Sequence, residues 1–189
     1  MPRVPFRELF QRFYGLLEDC GIEYAAYGGV TVAVWGDPRE TQDVDAVIAV
    51  EPGSEAAVLT AITSAGFSLP EDAAITFPID GWLRASLHGR YADLAVGRTP
   101  FDESAMRRRQ RRTLFGREIW VVTAEDLLLY KLIAYRRKDL ADAESVVRRQ
   151  RRVLDLVYLR HWAGEIASHT LKFEIPSKLE ELIEEARGL

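Results

Sequence analysis

Apolar residues in the first part of the chain follow two different patterns. Near the start they recur every three or four positions, which predicts an amphipathic helix ending at Gly21: Phe6, Leu9, Phe10, Phe13, Leu16 and Leu17. Residues 22–27 and 44–50 are shorter apolar runs that predict buried strands. Residues 30–35 are ambiguous, because their β-branched side chains favour a strand whereas the connection between two strands favours a helix.

The middle of the chain predicts two hairpins and two helices. Apolar segments flank short glycine-containing turns, which predicts hairpins over residues 83–87 with 91–96 and over residues 113–115 with 118–122. Helices are predicted over residues 55–65, with Ser54 as the N-cap, and over residues 102–112, with Asp102 or Ser104 near the start.

Beyond residue 122 the pattern is helical throughout. Thr123 with Asp126, and Ser177 with Glu180, have the spacing of capping boxes. The predicted helices cover residues 127–135, 139–152, 154–167 and 179–186. Because strands come early and helices come late, the sequence predicts an α+β fold. We expect an α/β core over residues 1–122 and a helical C-terminal part over residues 123–189 that packs on the core.

The composition is that of an ordinary soluble globular domain, with 48% hydrophobic and 29% charged residues among 189 positions. A net charge of −4 argues against nucleic-acid binding driven by the overall charge of the protein. The single cysteine, Cys20, cannot form an internal disulfide. No stretch resembles a signal peptide or is long enough to span a bilayer, so we expect a cytoplasmic protein without a membrane partner.

Three aspartates in strand-like surroundings are candidate metal ligands. Side chains alternate along a strand, so Asp43 and Asp45 share one face. Asp93 stands alone in an apolar run of the first hairpin, and an adjacent strand would bring it beside the pair. A divalent cation such as Mg²⁺ or Mn²⁺ would offset the repulsion among buried carboxylates, which predicts the two-metal arrangement of phosphoryl transfer. The alternative is that Asp43 and Asp45 face water at the end of a strand and that Asp93 forms a hydrogen bond with its own turn.

Gly28 and Gly29 come directly after the first predicted strand and are candidate phosphate-binding residues. Without side chains they let the backbone approach a phosphate, and a following helix would point its N–H groups at that anion. The 13 residues between Gly29 and Asp43 are enough for one helix and a returning loop.

These residues together resemble the signature of the DNA polymerase β-like nucleotidyltransferase superfamily. In that signature a hydrophobic residue and a glycine pair precede Asp-x-Asp by about a dozen residues, and a further strand acid follows. Tyr27 with the glycine pair, Asp43-Val44-Asp45 and Asp93 fill those places. The resemblance implies a mixed sheet like the polymerase β palm, flanked by helices. It also implies transfer of a nucleoside monophosphate from an NTP such as ATP to a hydroxyl, with Asp93 as the base.

Further segments are similar to the abortive-infection toxin-type (AbiEii-like) branch of that superfamily. Residues 36–45 look like its G-x-x-R-x-T-x-D-x-D stretch, and residues 131–142 look like its K-x-x-A-x-R-x-K-D-x-x-D segment. Through this resemblance Arg39, Thr41 and Lys131 are candidate nucleotide-binding residues, and Lys131 is also a candidate catalytic residue. The implied partners are an NTP, an RNA (tRNA-like) or protein acceptor, and a cognate antitoxin or toxin.

The basic residues also have simpler interpretations. Lys131 could lay its stem on apolar surface with its head in water, and Arg39 could be an ordinary loop arginine. Ion pairs that fix the junction between two helices are predicted for Arg136, Lys138, Asp139 and Asp142. Two arginine-rich segments, residues 107–112 and 148–152, predict either helix faces exposed to solvent or a surface that binds the phosphates of an RNA acceptor.

Two functions follow from the sequence. The first is an enzyme that transfers a nucleotide to a hydroxyl of RNA or protein, as a component of a toxin–antitoxin pair. The second is a catalytically silent module of the same fold that binds nucleotide or protein as an antitoxin or regulatory partner. The complete set of acids favours the enzyme. Val30 favours the silent module, because many active members have a hydroxyl or polar side chain after the glycine pair.

Overall fold

A computed structural model of the chain describes residues 3–188. Within that range the helices are α1 Phe6–Asp19, α2 Gly29–Trp35, α3 Glu55–Ser64, α4 Ala73–Asp80, α5 Pro100–Arg108, α6 Ala124–Ala134, α7 Arg137–Gln150, α8 Leu156–Thr170 and α9 Glu174–Arg187. The strands are β1 Tyr24–Tyr27, β2 Asp43–Ile48, β3 Trp82–Leu87, β4 Arg90–Val96, β5 Gln110–Leu114 and β6 Arg117–Val121.

The strands form one mixed sheet in the order β3-β4-β2-β1-β6-β5. Strand β2 is antiparallel to β1 on one side and parallel to β4 on the other. Strand β6 joins β1 in parallel, and the two predicted hairpins, β3–β4 and β5–β6, form the two ends of the sheet. The predicted α+β fold is confirmed, with a mixed sheet between helices and a helical C-terminal part.

The sheet buries apolar side chains on both faces. On one face, Val44 and Ala46 of β2 belong to the same buried cluster as Phe10 and Phe13 of α1. On the other face, Val47 belongs to a cluster formed mainly with the C-terminal helices: Phe101, Leu127, Leu128, Leu132, Val146, Leu159 and Leu182. Side-chain alternation therefore places the odd-numbered positions of β2, which include both of its aspartates, on the face that the C-terminal helices cover.

The ambiguous segment over residues 30–35 is helical and forms most of α2. Tertiary packing outweighs the strand preference of its β-branched residues, because Val30 and Val32 are 2% and 1% exposed and belong to opposite clusters. At the end of the helix, the Trp35 indole N–H donates to the Val122 carbonyl over 2.9 Å. The helix therefore connects both layers of the fold.

The helix predicted over residues 102–112 has Asp102 in its first turn, as expected, but its predicted end is wrong. The Thr99 hydroxyl accepts from the Asp102 N–H and the Asp102 carboxylate accepts from the Thr99 N–H, so this capping box starts α5 at Pro100. The helix ends at Arg108, and residues from Gln110 onward belong to strand β5. The first arginine run is thus divided between a helix and a strand.

Three other local expectations were wrong or incomplete. The last helix begins at Glu174, and the Ser177 hydroxyl donates to the Glu174 carbonyl inside it instead of capping its start. Ser54 occupies the N-cap position of α3 but makes no capping hydrogen bond within the described residues. Helix α4, which contains Pro78, was not predicted; Phe77, on its inner face, is fully buried.

The first helix of the C-terminal part begins after the cap that the sequence predicts. The Thr123 hydroxyl accepts from the Asp126 N–H at 3.3 Å, which caps α6. Helices α6 to α9 pack on one another and share their apolar cluster with the sheet. The division of the chain at residue 122 stays a prediction. None of the helices within residues 3–188 combines the length and the apolar character that crossing a bilayer requires.

Candidate active site

A polar cleft of about 230 Å³ lies where the sheet face with the aspartates meets α2, α6 and α7. It contains every predicted site residue except Thr41: Gly28, Gly29, Arg39, Asp43, Asp45, Asp93 and Lys131. The structure therefore brings together residues from both the predicted core and the predicted helical part. Thr41 lies next to the cleft and contacts two of these residues.

The strand register places the acids side by side. Asp43 and Asp45 share a face of β2, and Asp45 is the direct partner of Asp93 on the parallel strand β4. Residues paired in this way project to the same side of the sheet. The sequence-based expectation of three aspartates on one sheet face is confirmed by this register.

Asp45 lies against the glycine turn that precedes α2. Gly28 has a φ of +80°, and a Cβ atom added there would lie 2.2 Å from Asp45 Oδ2. Both the backbone conformation and the close approach of the carboxylate therefore require glycine. The Gly29 N–H donates a hydrogen bond to the Asp45 carboxylate. The turn holds an anion of the protein itself at the place where the sequence predicts a bound phosphate.

The pKa of Asp45 is raised to about 7, first by burial and then by the charges of Asp43 and Asp93. The positive charge of Lys131 and the hydrogen bond from Gly29 oppose this rise. Burial and like charges are the two effects that disfavour an ionised carboxylate. A perturbed carboxylate among other acids in a cleft is typical of functional sites.

Thr41 positions Asp43. Its hydroxyl donates to Asp43 Oδ1 over 3.0 Å, and a Cβ atom added at Gly29 would lie 2.6 Å from Thr41 Oγ1. The second glycine is therefore needed so that the loop carrying Thr41 can pack against α2. Thr41 acts on the cleft through these two contacts.

Asp93 is paired with Arg84, which the sequence analysis did not identify. Arg84 Nε and Nη2 donate to the two Asp93 oxygens over 2.8 and 2.7 Å. The Arg84 guanidinium also lies 5.4 Å from the ring centroid of Trp82 and 5.0 Å from that of Tyr91. The pairing of Arg84 with Asp93 across the β3–β4 hairpin was the available signal, because opposite positions of a hairpin face the same side.

Lys131 is buried, and two acids of α7 hold its ammonium. Its Nζ lies 3.0 Å from Asp139 Oδ1 and 2.8 Å from Asp142 Oδ2. Arg39 completes the network, with Nε and Nη2 donating to the two Asp142 oxygens over 2.7 and 2.8 Å. Arg136 pairs with Asp139. The ion pairs expected at this helix junction are confirmed for Arg136, Asp139 and Asp142, whereas Lys138 lines the cleft instead.

The network also controls the ionisation of its acids. Burial would raise the pKa values of Asp139 and Asp142, but hydrogen bonds and charges from the neighbouring cations outweigh burial, so both pKa values are lowered. For Asp139 the hydrogen bonds come from Arg136 and Lys131, and for Asp142 from Arg39 and Lys131. Both acids remain ionised and keep Lys131 in place beside the cleft.

The two arginine runs are engaged away from the cleft. Arg108 pairs with Glu125, and Arg111 pairs with Glu18 at 2.8 Å and lies over the Trp120 ring. Arg148 and Arg149 both pair with Asp37. None of the arginines in these runs lines the cleft. Most arginines of the two runs therefore form ion pairs or cation–π contacts within the fold, whereas Arg151 and Arg152, just after α7, are exposed to solvent.

The donor set of the cleft fits a hard divalent cation in part. Asp43 and Asp45 offer carboxylate oxygens, and Mg²⁺ commonly takes one or two carboxylates together with substrate phosphate oxygens. Asp93 has both oxygens on Arg84, whose guanidinium takes the place of a cation there. Across residues 3–188, no three His, Cys, Asp or Glu side chains form a group placed to hold a metal ion. The expected three-carboxylate site is therefore not preformed.

The raised pKa of Asp45 gives a first test. Its unfolded value is about 3.9, so ionisation opposes folding as pH rises from about 4 through 7. We expect Asp45→Asn to raise the free energy of unfolding of metal-free protein at about pH 8 by at least about 1 kcal/mol, and the gain to disappear near pH 4. Denaturant titrations in EDTA at several pH values measure this. Asp19→Asn, an exposed acid at the end of α1, is the control. A less stable Asp45→Asn at pH 8 would contradict the assignment.

A second test concerns the buried lysine. Lys131→Met removes the cation shared by Asp139 and Asp142. We expect a loss of about 3 kcal/mol, the low end for a broken buried pair, because Arg39 and Arg136 still pair with these acids. Combining Lys131→Met with Asp139→Asn should restore part of the loss in a double-mutant cycle. Lys138→Met, at an exposed position, is the matched control, and equal stability of the two single variants would refute the role.

Comparisons with known proteins agree with the architecture. The sequence matches no protein-family model and no curated protein. Among solved structures, the chain is similar to the lincosamide antibiotic adenylyltransferase LnuA in its lincomycin-bound form, with a TM-score of 0.54 and 16% identity over 76% of this chain and 97% of that chain. The antibiotic-resistance factor ANT(2'')-Ia gives a TM-score of 0.57 and 11% identity over 87% of this chain and 96% of that chain.

A third structure widens the range of relatives. An antigenic nucleotidyltransferase-like protein from Paracoccidioides brasiliensis gives a TM-score of 0.54 and 16% identity over 94% of this chain and 91% of that chain. Similarity at these identities establishes the fold, and the toxin-type branch stays a prediction. The chain therefore has the fold of the nucleotidyltransferases, as its glycine pair and aspartate motif predict.

Proposed function

We propose that the protein is a metal-dependent nucleotidyltransferase that moves a nucleoside monophosphate from an NTP to a hydroxyl group. The observation that carries the proposal is the meeting of the Gly28-Gly29 turn with Asp45, whose pKa is raised to about 7. Burying the Asp45 carboxylate beside other acids lowers the stability of the fold. Its presence there is therefore better explained by cation binding than by a role in stabilising the structure. The fold shared with known nucleotidyltransferases supports the same reaction.

In this proposal Asp43 and Asp45 hold Mg²⁺ or Mn²⁺, and Asp93 joins them when Arg84 moves away. The bound ion would supply neutralisation of the charge that develops on the α-phosphate. Thr41 orients Asp43 through its hydrogen bond, and Asp93 takes the proton from the incoming hydroxyl. The Arg84 side chain is 44% exposed and can therefore leave Asp93 for solvent.

The cations at the cleft have different roles. Lys131 is fixed by two buried acids and supplies a constant positive charge beside Asp45. Arg39 and Arg136 have side chains 36% and 63% exposed, which allows them to turn toward the phosphates of an NTP. In the proposal the phosphates lie next to Asp45, near the Gly28-Gly29 turn, where no side chain blocks their approach.

The acceptor can belong to one of three classes, namely an RNA, a protein or a small molecule. The resemblance to the toxin-type branch favours RNA or protein, together with an antitoxin partner. LnuA and ANT(2'')-Ia are named for antibiotics, and both are known in complex with antibiotic molecules or their adenylylated products. Most arginines of the two runs are used in internal contacts, which weakens the main reason to favour RNA.

A silent binding module is the second candidate. It is favoured because the charged side chains of the cleft already pair with one another. Arg84 forms an ion pair with Asp93, and the acids of α7 form ion pairs with Lys131. The position after the glycine pair, Val30, lies in the apolar core and offers no polar group to a phosphate. Such a module would bind nucleotide or a partner protein without turnover.

A labelling experiment separates the two candidates. The protein is incubated with each α-³²P-labelled NTP and Mg²⁺ or Mn²⁺, together with the RNA, protein or small-molecule fraction of a cell extract. We expect label in one fraction, and a loss of at least about 100-fold with Asp43→Asn, because a ligand of the ion is worth several kcal/mol. Asp19→Asn should retain activity. NTP binding without label in any fraction would establish the silent module instead.

A metal titration tests the role of Arg84. We expect Arg84→Gln to bind Mn²⁺ about tenfold more tightly, or about 1.4 kcal/mol, because it frees both oxygens of Asp93. The measurement is calorimetry or electron paramagnetic resonance of free Mn²⁺. Arg98→Gln, an exposed arginine outside the cleft, is the matched control. Unchanged affinity in Arg84→Gln would show that Asp93 does not take part in metal binding.

A further inference from the structure

A second cavity, of about 370 Å³, lies between the start of α5, helix α6 and helix α8. Its walls are mainly apolar and aromatic: Phe101, Tyr130, Ile133, Trp162 and Ile166. Small-molecule sites in proteins usually have volumes of about 300–1,000 Å³ and this kind of lining. The cavity is not used by the proposed chemistry of the aspartates.

The aromatic wall is held in place by its own packing. The ring centroid of Phe101 lies 4.9 Å from that of Tyr130 and 5.5 Å from that of Trp162. Phe101 and Ile166 are only 3% and 6% exposed and belong to the apolar cluster under the C-terminal helices. The inner wall of the cavity therefore belongs to the packed core, while its outer side, which includes Thr99, Glu165 and Thr170, is open to solvent.

Tyr130 connects this cavity to the cleft. It lines both of them, and its ring centroid lies 5.2 Å from that of Tyr27, which also lines the cleft. The Tyr130 hydroxyl donates to Asp102 over 2.8 Å, and Asp102 belongs to the capping box of α5. Tyr130 is thus a wall that the two spaces share. On the same helix, Ala134 lines the cleft and Ile133 lines the cavity.

The charges at the rim argue against a polyanionic occupant. Glu165 lines the cavity and forms no ion pair within residues 3–188. Arg98, the cation of the rim, donates through its guanidinium to the carbonyls of Pro78 and Ile79 over 2.6 and 2.7 Å. A phosphodiester would meet an uncompensated carboxylate here, whereas a neutral or positively charged molecule would not.

We propose that this cavity binds the ring of a small-molecule acceptor, an uncharged or cationic alcohol, and that the acceptor passes Tyr130 to present its hydroxyl to the cleft. This inference rests on the proposed nucleotidyl transfer and specifies its acceptor class. The aromatic wall selects a flat or alicyclic apolar ring. The adjoining cleft supplies Asp93 as the base for the hydroxyl. The hydroxyl proton goes to Asp93, the hydroxyl oxygen forms a bond to the α-phosphorus, and pyrophosphate leaves.

The binding step is tested with 1-naphthylmethanol, which combines an aromatic ring with a primary hydroxyl. Its dissociation constant is measured by ligand-observed NMR with wild type and two variants that place an indole in the cavity, Ile133→Trp and Thr170→Trp. Thr170 is exposed at the rim, so that variant retains its fold even if Ile133→Trp does not. Val157→Trp, at a position 79% exposed on α8, is the matched control.

We expect saturable binding to wild type and Val157→Trp, and at least tenfold weaker binding to the two cavity variants. Absence of binding to wild type, or equal binding to all four proteins, would overturn the cavity as a ring site. Nucleotidyl transfer is measured separately, with labelled NTP and the small-molecule, RNA and protein fractions of the extract.

The acceptor site and the nucleotidyl transfer can be disproved separately. Transfer to the small-molecule fraction that falls at least tenfold in Ile133→Trp and Thr170→Trp, but not in Val157→Trp, supports the acceptor site. Transfer to RNA or protein that the cavity variants leave unchanged overturns the acceptor site while nucleotidyl transfer stands. No transfer to any fraction overturns the proposed function and with it the acceptor role, whereas the NMR titration still decides whether the cavity binds rings.

Discussion

The close approach of the Asp45 carboxylate to the Gly28 backbone is the constraint on which the cleft depends. A side chain at Gly28 would collide with that carboxylate, and the left-handed φ of +80° independently favours glycine. The turn lets α2 start directly beneath the acids, while Thr41 fits against Gly29 and orients Asp43. One turn without side chains therefore brings β1, α2 and β2 close enough to form a single anionic site.

Ion pairs around that site link the helical part to the sheet. Asp45 is destabilised by burial and by its acidic neighbours, and Lys131 provides a compensating charge from α6. Lys131 is in turn held by Asp139 and Asp142 of α7, and Asp142 also binds Arg39 from the loop before β2. Loop, sheet face and two helices are thus joined by one chain of ion pairs. The same arrangement places a buried cation and partly exposed arginines around the acids.

Two kinds of surface meet at Tyr130. The cleft is polar and carries the aspartates, whereas the neighbouring cavity is apolar and carries three aromatic rings. The proposed reaction between a nucleotide and an alcohol that carries a ring would use both kinds of surface, because phosphates require charge and a ring requires apolar area. The packing of α5, α6 and α8 against the sheet supplies the second kind within the same small fold.

The sequence by itself determined most of the elements and predicted the acids and glycines that meet in the cleft. Strand periodicity put Asp43 and Asp45 on one face and the glycine pair marked the turn, because both are local consequences of backbone geometry, and Asp93 was expected beside the pair on an adjacent strand. Only the tertiary structure decided that residues 30–35 are helical and that Arg108, Arg111, Arg148 and Arg149 pair internally. It alone revealed Arg84 on Asp93 and the cavity beside Tyr130. Those features depend on contacts between residues distant in sequence. A local sequence pattern therefore cannot predict which partner a buried charge has, or whether a cavity forms between three helices.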